Sequence, residues 1–356
     1  MTARAPVSLQ VRCAPYARLI KRLFRGRGSL KSAAFREEIL CAEEECDSRP
    51  PIYLPGQLER ITGASEHQPL AAEIESMLAR TGKHAATIAY HIKDAIIFDG
   101  SMYAGNLKHF LAEKSLSRSN TAVHQLKIAA LASSAVGTRY FGHWLLDDCI
   151  QYLLAERIGS PLCVGSSFFE HKSRYAAYFD QDWTPTDRAA IDELIVYQDY
   201  AQNSLKRQRY ATLAGRIRTE FPSGHRDKLV YLRRGQTGVP RPIRDEDAIL
   251  NGLVRSGFQI VDVGCSSLDH ILATLTRAKI VVSMEGSQIT HCCYALEPGS
   301  GLLVMQPANR FTAVHRHWAE SVGVTLGFVV GELTEFGYQF DTGEILETVD
   351  EMLKFL

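Results

Sequence analysis

The chain has 356 residues, 46% of them hydrophobic, and its 40 Lys plus Arg balance 40 Asp plus Glu. This length suits two domains of about 150 residues each, and the apolar share excludes wholesale disorder. The neutral balance argues against a general nucleic-acid coat, because phosphate contacts need surplus positive charge.

Residues 1–50 read as a basic N-terminal arm followed by an irregular or helical segment. Over residues 4–31, Arg4, Arg12, Arg18, Lys21, Arg22, Arg25, Arg27 and Lys31 occur with no acid among them. Two readings stand: a solvated tail, or peripheral contact with an anionic membrane surface. An acidic cluster at Glu43–Asp47 and turn-rich "SRPPIYLPG" follow. Residues 51–221 are expected to form an α/β domain. In it, "ATIAYHI" and "DAIIFDG" flank Lys93-Asp94 and predict a hairpin over 86–99. "TAVHQLKIAALASS" suits a strand or a short helix. "GHWLLDDCIQYLLAERIG" is an amphipathic helix starting near Gly142 and ending at Gly159. "PLCVGS" resembles a short buried strand. Thr186 signals a helix start in "TDRAAIDELI", and 198–221, rich in Arg, Lys and Gln, reads as a long surface helix.

"FPSGHRD" at 221–227 is the expected linker. Over 225–330 the pattern alternates strictly. "KLVYLRR", "FQIVDVG", "KIVVSM" and "GLLVMQP" are strands. "DEDAILNGLVRSG", "SLDHILATLTRA" with Ser267 as N-cap, and "SQITHCCYAL" are helices. Continuous apolar strands alternating with helices predict a parallel sheet covered on both faces. Residues 331–356 end in "GEILETVDEMLKFL", an amphipathic helix expected to pack back on a domain.

The cysteines, at 13, 41, 46, 149, 163, 265, 292 and 293, form no Cys-x-x-Cys pair. They lack zinc-finger spacing and read as mostly buried thiols of a reducing compartment. His291, Cys292 and Cys293 cannot aim consecutive helical side chains at one ion. No run of about 18 apolar residues suggests a spanning helix, and no secretion-signal pattern opens the chain. A cytoplasmic location, at the inner face of the membrane if the arm docks there, is the expectation.

Three clusters carry chemistry. In "VVSMEGSQITH", a strand ends at Glu285-Gly286-Ser287, where open α/β sheets bind ligands. Gly286 permits close backbone approach. The amides of Ser287 and Gln288 open the next helix and suit an anion. Glu285 suits sugar hydroxyls. The bland alternative is an ordinary strand–helix turn with a surface acid. In "YLRRGQTGVPRPIRDED", Arg233, Arg234, Arg241 and Arg244 leave the same sheet edge and can grip phosphate oxygens. Their bland alternative is pairing with Asp245, Glu246 and Asp247. In "FGHWLLDD", His143 and Asp147 are four apart on one helix face, an arrangement suited to a base; a structural histidine is the alternative.

The order of these motifs resembles glycosyltransferase family 61, including bacterial members associated with capsule or exopolysaccharide synthesis. "GHWLLDD" is similar to the family's His-Trp-Leu-x-Asp, "YLRR" to Tyr-Ile-Ser-Arg, and "RPIRDE" to Arg-x-Ile-x-Asn-Glu. "SMEGSQITH" stands at Gly-x-His-Gly-Ala-x-Leu-Thr-Asn, with Glu285, Ser287 and His291 as departures. Asp269 and His270 fall at the acid–amide positions of a Ser-x-x-Glu-Gln helix. The resemblance, from about residue 86 to 330, implies a GT-B-like fold of two Rossmann-like domains facing across a cleft. It also implies an inverting, metal-independent transferase without cofactors. Its donor would be a nucleotide-diphosphate sugar held by Arg233, Arg234, Arg241, Glu285, Gly286, Ser287, Gln288, Asp269 and His270. Its acceptor would be a glycan or lipid-linked saccharide, with His143 and Asp147 catalytic. The rival readings are a pyruvyl or phosphoryl transferase acting on polysaccharide, and a non-catalytic glycan-binding protein.

Overall fold

The computed structural model describes residues 7–65, 68–113, 122–222, 224–235 and 239–356. In chain order the elements begin with α1 (Val7–Arg25), α2 (Leu30–Ala33), β1 (Ala34–Cys41), β2 (Glu44–Asp47), α3 (Leu70–Leu78) and β3 (Thr81–His84). β4 (Thr87–Phe98), β5 (Ser101–Ala104), β6 (Leu107–Phe110), β7 (His124–Leu131), α4 (Phe141–His143), α5 (Cys149–Glu156), β8 (Pro161–Leu162) and α6 (Lys172–Tyr178) follow. Next come β9 (Arg188–Gln198), α7 (Ser204–Glu220), β10 (Lys228–Arg233), α8 (Glu246–Arg255), β11 (Phe258–Asp262), α9 (Leu268–Leu275) and β12 (Ala278–Met284). The chain closes with α10 (Cys292–Ala295), β13 (Gly301–Pro307), α11 (Val314–Ser321), β14 (Thr325–Thr334), β15 (Gly337–Gln339) and α12 (Thr342–Leu353).

Two compact units emerge, one of Met1–Glu44 with His84–Arg209, the other of Glu45–Lys83 with Tyr210–Leu356. This partition differs from the expected boundaries at 50 and 221. Ile52 bridges to Gly327 beside β14, and Ala64 bridges to Phe311. Arg316, 1% exposed, donates to the carbonyls of Ser76 and Ala79. Arg60 pairs with Glu344 at 2.5 Å. Residues 45–83 therefore complete the second unit.

The first unit is built on a sheet ordered β6-β5-β4-β9-β7-β8, with β1 also on β4. Its pairings are antiparallel except β7 with β9 and β8, which are parallel. This mixed sheet is not the doubly wound parallel type expected for a Rossmann-like N-terminal domain. The expected hairpin over 86–99 is also corrected: β4 runs unbroken through it. Asp94 adopts φ 51° where one edge of β4 passes from β1 to β5. The real turn is Asp99-Gly100, both with positive φ, between paired Phe98 and Ser101. An Asp-Gly pair is what a two-residue hairpin of this hand favours. "TDRAAIDELI" is likewise strand β9, not a helix. Ala189, Ile191 and Leu194 bury against β4 and β7, and the inter-strand ladder overrides the local start signal. "TAVHQLKIAALASS" resolves as strand β7.

The second unit keeps the predicted alternation. Strands β11, β10, β12, β13 and β14 pair in parallel in that order, and β15 adds an antiparallel edge. Counting from β10, the order is second, first, third, fourth, fifth. The direction of winding thus reverses between β10 and β12, and ligands of such sheets bind beyond the strand ends there. Ser267 caps α9 through its hydroxyl, as expected. α12 packs back as expected, burying Ile345, Val349 and Met352.

Candidate functional site

At the reversal point of the second unit, β10 delivers Arg233 and Arg234 and β12 delivers Glu285. Adjacent strand residues point to opposite sides, and the two arginines part accordingly. Arg233 Nη2 pairs with Glu246 at 2.7 Å, and its Nη1 lies 3.6 Å from Asp262. For Arg233 the bland alternative holds: it ties β10 to α8 and β11 and is not in the cluster formed by Arg234. Arg244 similarly meets Asp245 at 3.4 Å.

Arg234 turns toward β12. Its Nη1 donates to the Glu285 carbonyl at 3.2 Å and to Gln288 Oε1 at 3.1 Å, while Nη2 donates to the Val239 carbonyl at 3.0 Å. Gly286 makes this possible. Its φ is 151°, and a Cβ there would lie 1.7 Å from Arg234 Nη1. Gly286 therefore admits a guanidinium rather than a ligand directly. Gln288 is buried and donates to Ser283 Oγ at 3.1 Å, which fastens the turn to β12. Ser287 opens a 3₁₀ turn, Ser287–His291, not the α-helix expected.

Glu285 is not a surface acid. It is buried, with Arg241 Nε 2.5 Å from Oε2 and His315 Nε2 3.5 Å from Oε1. Burial alone would raise its pKa. The His315 hydrogen bond and the charges of His315, Arg241 and Arg310 outweigh burial and hold it below the ordinary value. Arg234 is brought down to about 10, first by burial and then by the charges of Arg241 and Arg310, against Glu285. Arg241 is lowered chiefly by burial. The charges of Arg234, Arg241 and Arg310 thus gather about one buried carboxylate in a poorly solvated place. Such a site favours an anion with two or more charges.

Arg310 and His315 escaped the sequence reading. Arg310 follows β13 in "MQPANR", the same kind of strand-end position that singled out Arg234, and that signal was available. His315, 2% exposed, lies on α11 and had no signal. Asp269 and His270 occupy the first turn of α9, and the His270 amide caps on Ser267. Gln236–Gly238, within the arginine-bearing loop, lie outside the described residues.

The second cluster belongs to the first unit. His143 ends α4, and the backbone widens into a π turn over Trp144–Asp148. Such turns are uncommon and favour functional sites. His143 Nδ1 lies 2.8 Å from Asp147 Oδ2, as the spacing predicted. Lys206 Nζ, fully buried, holds Asp147 Oδ1 at 2.5 Å and the Asp199 carbonyl at 3.0 Å. Arg209 grips both Asp199 oxygens at 2.7 and 2.8 Å. The expected surface helix over 198–221 is therefore buried along Lys206, Arg209 and Tyr210. Its cations misled the reading, because charged residues seldom bury unless paired; here they are.

Burial would raise Asp147, but the Lys206 charge and the His143 hydrogen bond bring it to about 2. An ionised Asp147 can only accept a hydrogen bond. His143 Nδ1 must then carry the proton, which makes Nε2 the basic nitrogen of the neutral ring. Asp147 itself is too weak a base at neutral pH. Its neighbour Asp148 behaves oppositely: burial drives its pKa well up, despite hydrogen bonds from Ser134. The imidazole side chain is 35% exposed and so reachable by a hydroxyl from solution. Thr138 and Arg139, just before α4, line a cavity in this unit with Ser166, Ser167 and Asp187.

A family model described as Glycosyltransferase 61 matches residues 141–303. The match begins at the first residue of α4 and ends within β13. It includes His143, Asp147, Lys206, Arg234, Arg241 and Glu285, and stops short of Arg310 and His315. No curated protein matches the sequence.

Proposed function

We propose that this chain, which belongs through residues 141–303 to glycosyltransferase family 61, moves a hexosyl or pentosyl group from a nucleotide-diphosphate sugar to a hydroxyl of a glycan or lipid-linked saccharide. The reading includes inversion at the anomeric carbon, no metal or cofactor, a cytoplasmic setting and a role in polysaccharide synthesis such as capsule formation.

The observation that carries the donor assignment is the gathering of Arg234, Arg241 and Arg310 about Glu285 at the β10/β12 reversal point. Arg234, Arg241 and Arg310 would meet the diphosphate and take up the negative charge that grows on it as the glycosidic bond breaks. Fixed cations aimed at developing charge commonly supply the largest share of catalysis. Ser287, Asp269 and His270 lie at turns of the same unit and complete the proposed donor contacts. Glu285 acts first by orienting Arg241; a sugar hydroxyl would share its carboxylate.

In the acceptor half, His143 Nε2 takes the proton of the attacking hydroxyl. The freed oxygen pair forms the new bond to the anomeric carbon, and the bonding pair to the diphosphate leaves with the nucleotide. Asp147, ionised by Lys206, steadies the imidazolium that results. The reaction requires the two clusters to face one another across a cleft, in the GT-B manner, while a donor is bound.

His143→Ala should retain donor binding and lose transfer by a factor of about a hundred or more, followed as release of free nucleoside diphosphate. Normal turnover in that variant would refute His143 as base. If the wild-type protein releases no nucleoside diphosphate from any nucleotide sugar, the glycosyltransferase assignment fails. The pyruvyl or phosphoryl transferase and glycan-binding alternatives then take its place.

A further inference from the structure

Helix α1 presents its greasy side to solvent. Leu9, Tyr16, Ile20 and Leu23 follow one another at intervals of seven, four and three residues, Phe24 lies four beyond Ile20, and the five fall on one face. They are 50%, 70%, 60%, 84% and 85% exposed. The opposite face carries the contacts with the first unit: Val11 is 0% and Ala14 6% exposed, and the helix lies against β4, β5 and β9. A helix ordinarily buries its larger apolar stripe and exposes the weaker one. Here the arrangement is reversed.

Charge indicates what covers the stripe. Arg12, Lys21 and Arg22 are exposed on the flanks, and "VSLQVRCAPYARLIKRLFR" contains no Asp or Glu. A second copy of the helix laid on the first would press cation against cation. A protein partner would need a matching acidic rim around an apolar groove. An anionic bilayer offers both requirements at once: headgroups for the flanking cations and acyl chains for Leu23, Phe24 and their neighbours. No helix among the described residues is long and apolar enough to cross a membrane, so α1 would lie in the interface, not span it.

We propose that α1 is a monotopic membrane-seating helix that binds an anionic lipid surface through Leu9, Tyr16, Ile20, Leu23 and Phe24, with Arg12, Lys21 and Arg22 neutralised by headgroups. The inference stands independently of the transferase reading. It tells where the chain sits, not what it catalyses.

The test is sedimentation of the full chain with vesicles of phosphatidylcholine alone or with phosphatidylglycerol. The wild type should pellet with the anionic vesicles and stay in solution with the neutral ones. Arg12→Gln/Lys21→Gln/Arg22→Gln should weaken partition roughly a hundredfold, at about 1 kcal/mol per basic residue near such a surface. Ile20→Ser/Leu23→Ser/Phe24→Ser should abolish pelleting while leaving the melting temperature in solution unchanged, because those side chains already face water. Three outcomes overturn the proposal. One is no pelleting of the wild type. Another is equal pelleting with neutral vesicles. The third is a concentration-dependent dimer, without vesicle binding, that the serine variant dissolves. That last result would assign the stripe to a contact between copies. None of these outcomes bears on nucleotide-sugar turnover.

Discussion

Lys206 decides the ionisation of the whole His143 cluster. It holds one oxygen of Asp147 while the imidazole holds the other. Lys206→Met should therefore release Asp147 to rise toward or above the ordinary carboxylate range, weaken the hold on His143 Nδ1, and lower kcat more than KM. Breaking a buried ion pair from one side also costs about 3–5 kcal/mol of stability, visible in a denaturant melt. The pH dependence has a definite sign. Asp147 is lowered to about 2 when folded, against about 3.9 in an unfolded chain. Its contribution is present above pH 4 and is lost as the pH falls through 2. That contribution is of order 2 kcal/mol, and comparison of Asp147→Asn with the wild type at pH 6 and near pH 2 should show the gap closing. Gly286 offers a second test. Gly286→Ala places a methyl on the Arg234 guanidinium, so it should weaken nucleoside-diphosphate binding at least tenfold while the β12 strand remains. Unchanged affinity, read by calorimetry, would show that Arg234 does not grip the donor.

At the scale of elements, legibility followed the range of the forces. In the second unit the parallel strands are built around short apolar runs such as Leu229–Leu232, Ile280–Val282 and Leu302–Met305, so strands and helices are visible locally and their order holds. In the first unit the deciding contacts are distant in sequence. β4 survives Lys93-Asp94 because β9 pairs along nearly its whole length, from Ile88↔Gln198 to Phe98↔Arg188. β9 itself looked helical at Thr186 until that ladder is considered. The Asp99-Gly100 pair carries the hairpin signal, and the polar pair Lys93-Asp94 close by mimics one. Gly100 has φ 69°, and a Cβ there would sit 2.2 Å from the Ala112 carbonyl oxygen. Gly100→Ala should accordingly destabilise the first unit by about 1–3 kcal/mol, measured as a lower unfolding midpoint. The two His143–Asp147 and Arg234–Glu285 associations were each anticipated from spacing and strand-end position. Lys206 and His315 were not, because a charged residue drawn into the interior by a partner far along the chain leaves no local trace.

For the molecule as a whole, the return of residues 45–83 to the second unit means that the chain is not a simple string of two beads. Arg316 depends on carbonyls at Ser76 and Ala79, and Glu73 accepts the Ala313 amide at 2.6 Å. Removing residues 1–83 should therefore unfold the second unit along with the loss of the N-terminal segment, since Arg316 would be left buried without the carbonyls of Ser76 and Ala79, with Glu320 as its remaining partner. Circular dichroism and limited proteolysis of the truncated chain, against the full one, would register this; a stable 84–356 fragment would contradict it. With the chain intact, UDP or GDP that engages Arg234 and Arg241 should raise the melting temperature in proportion to the logarithm of its concentration.

The reversal of winding between β10 and β12 has an evolutionary corollary. Arg234 stands just past the end of β10, whose alignment with β12 is fixed by amide–carbonyl pairing, whereas Val239 and Pro240, in the connection to α8, lie outside that ladder. Holding power and choosiness are thereby mounted on different parts. Descendants of such a scaffold could vary that connection, and so the sugar or base they accept, while Arg234 stays where the sheet put it.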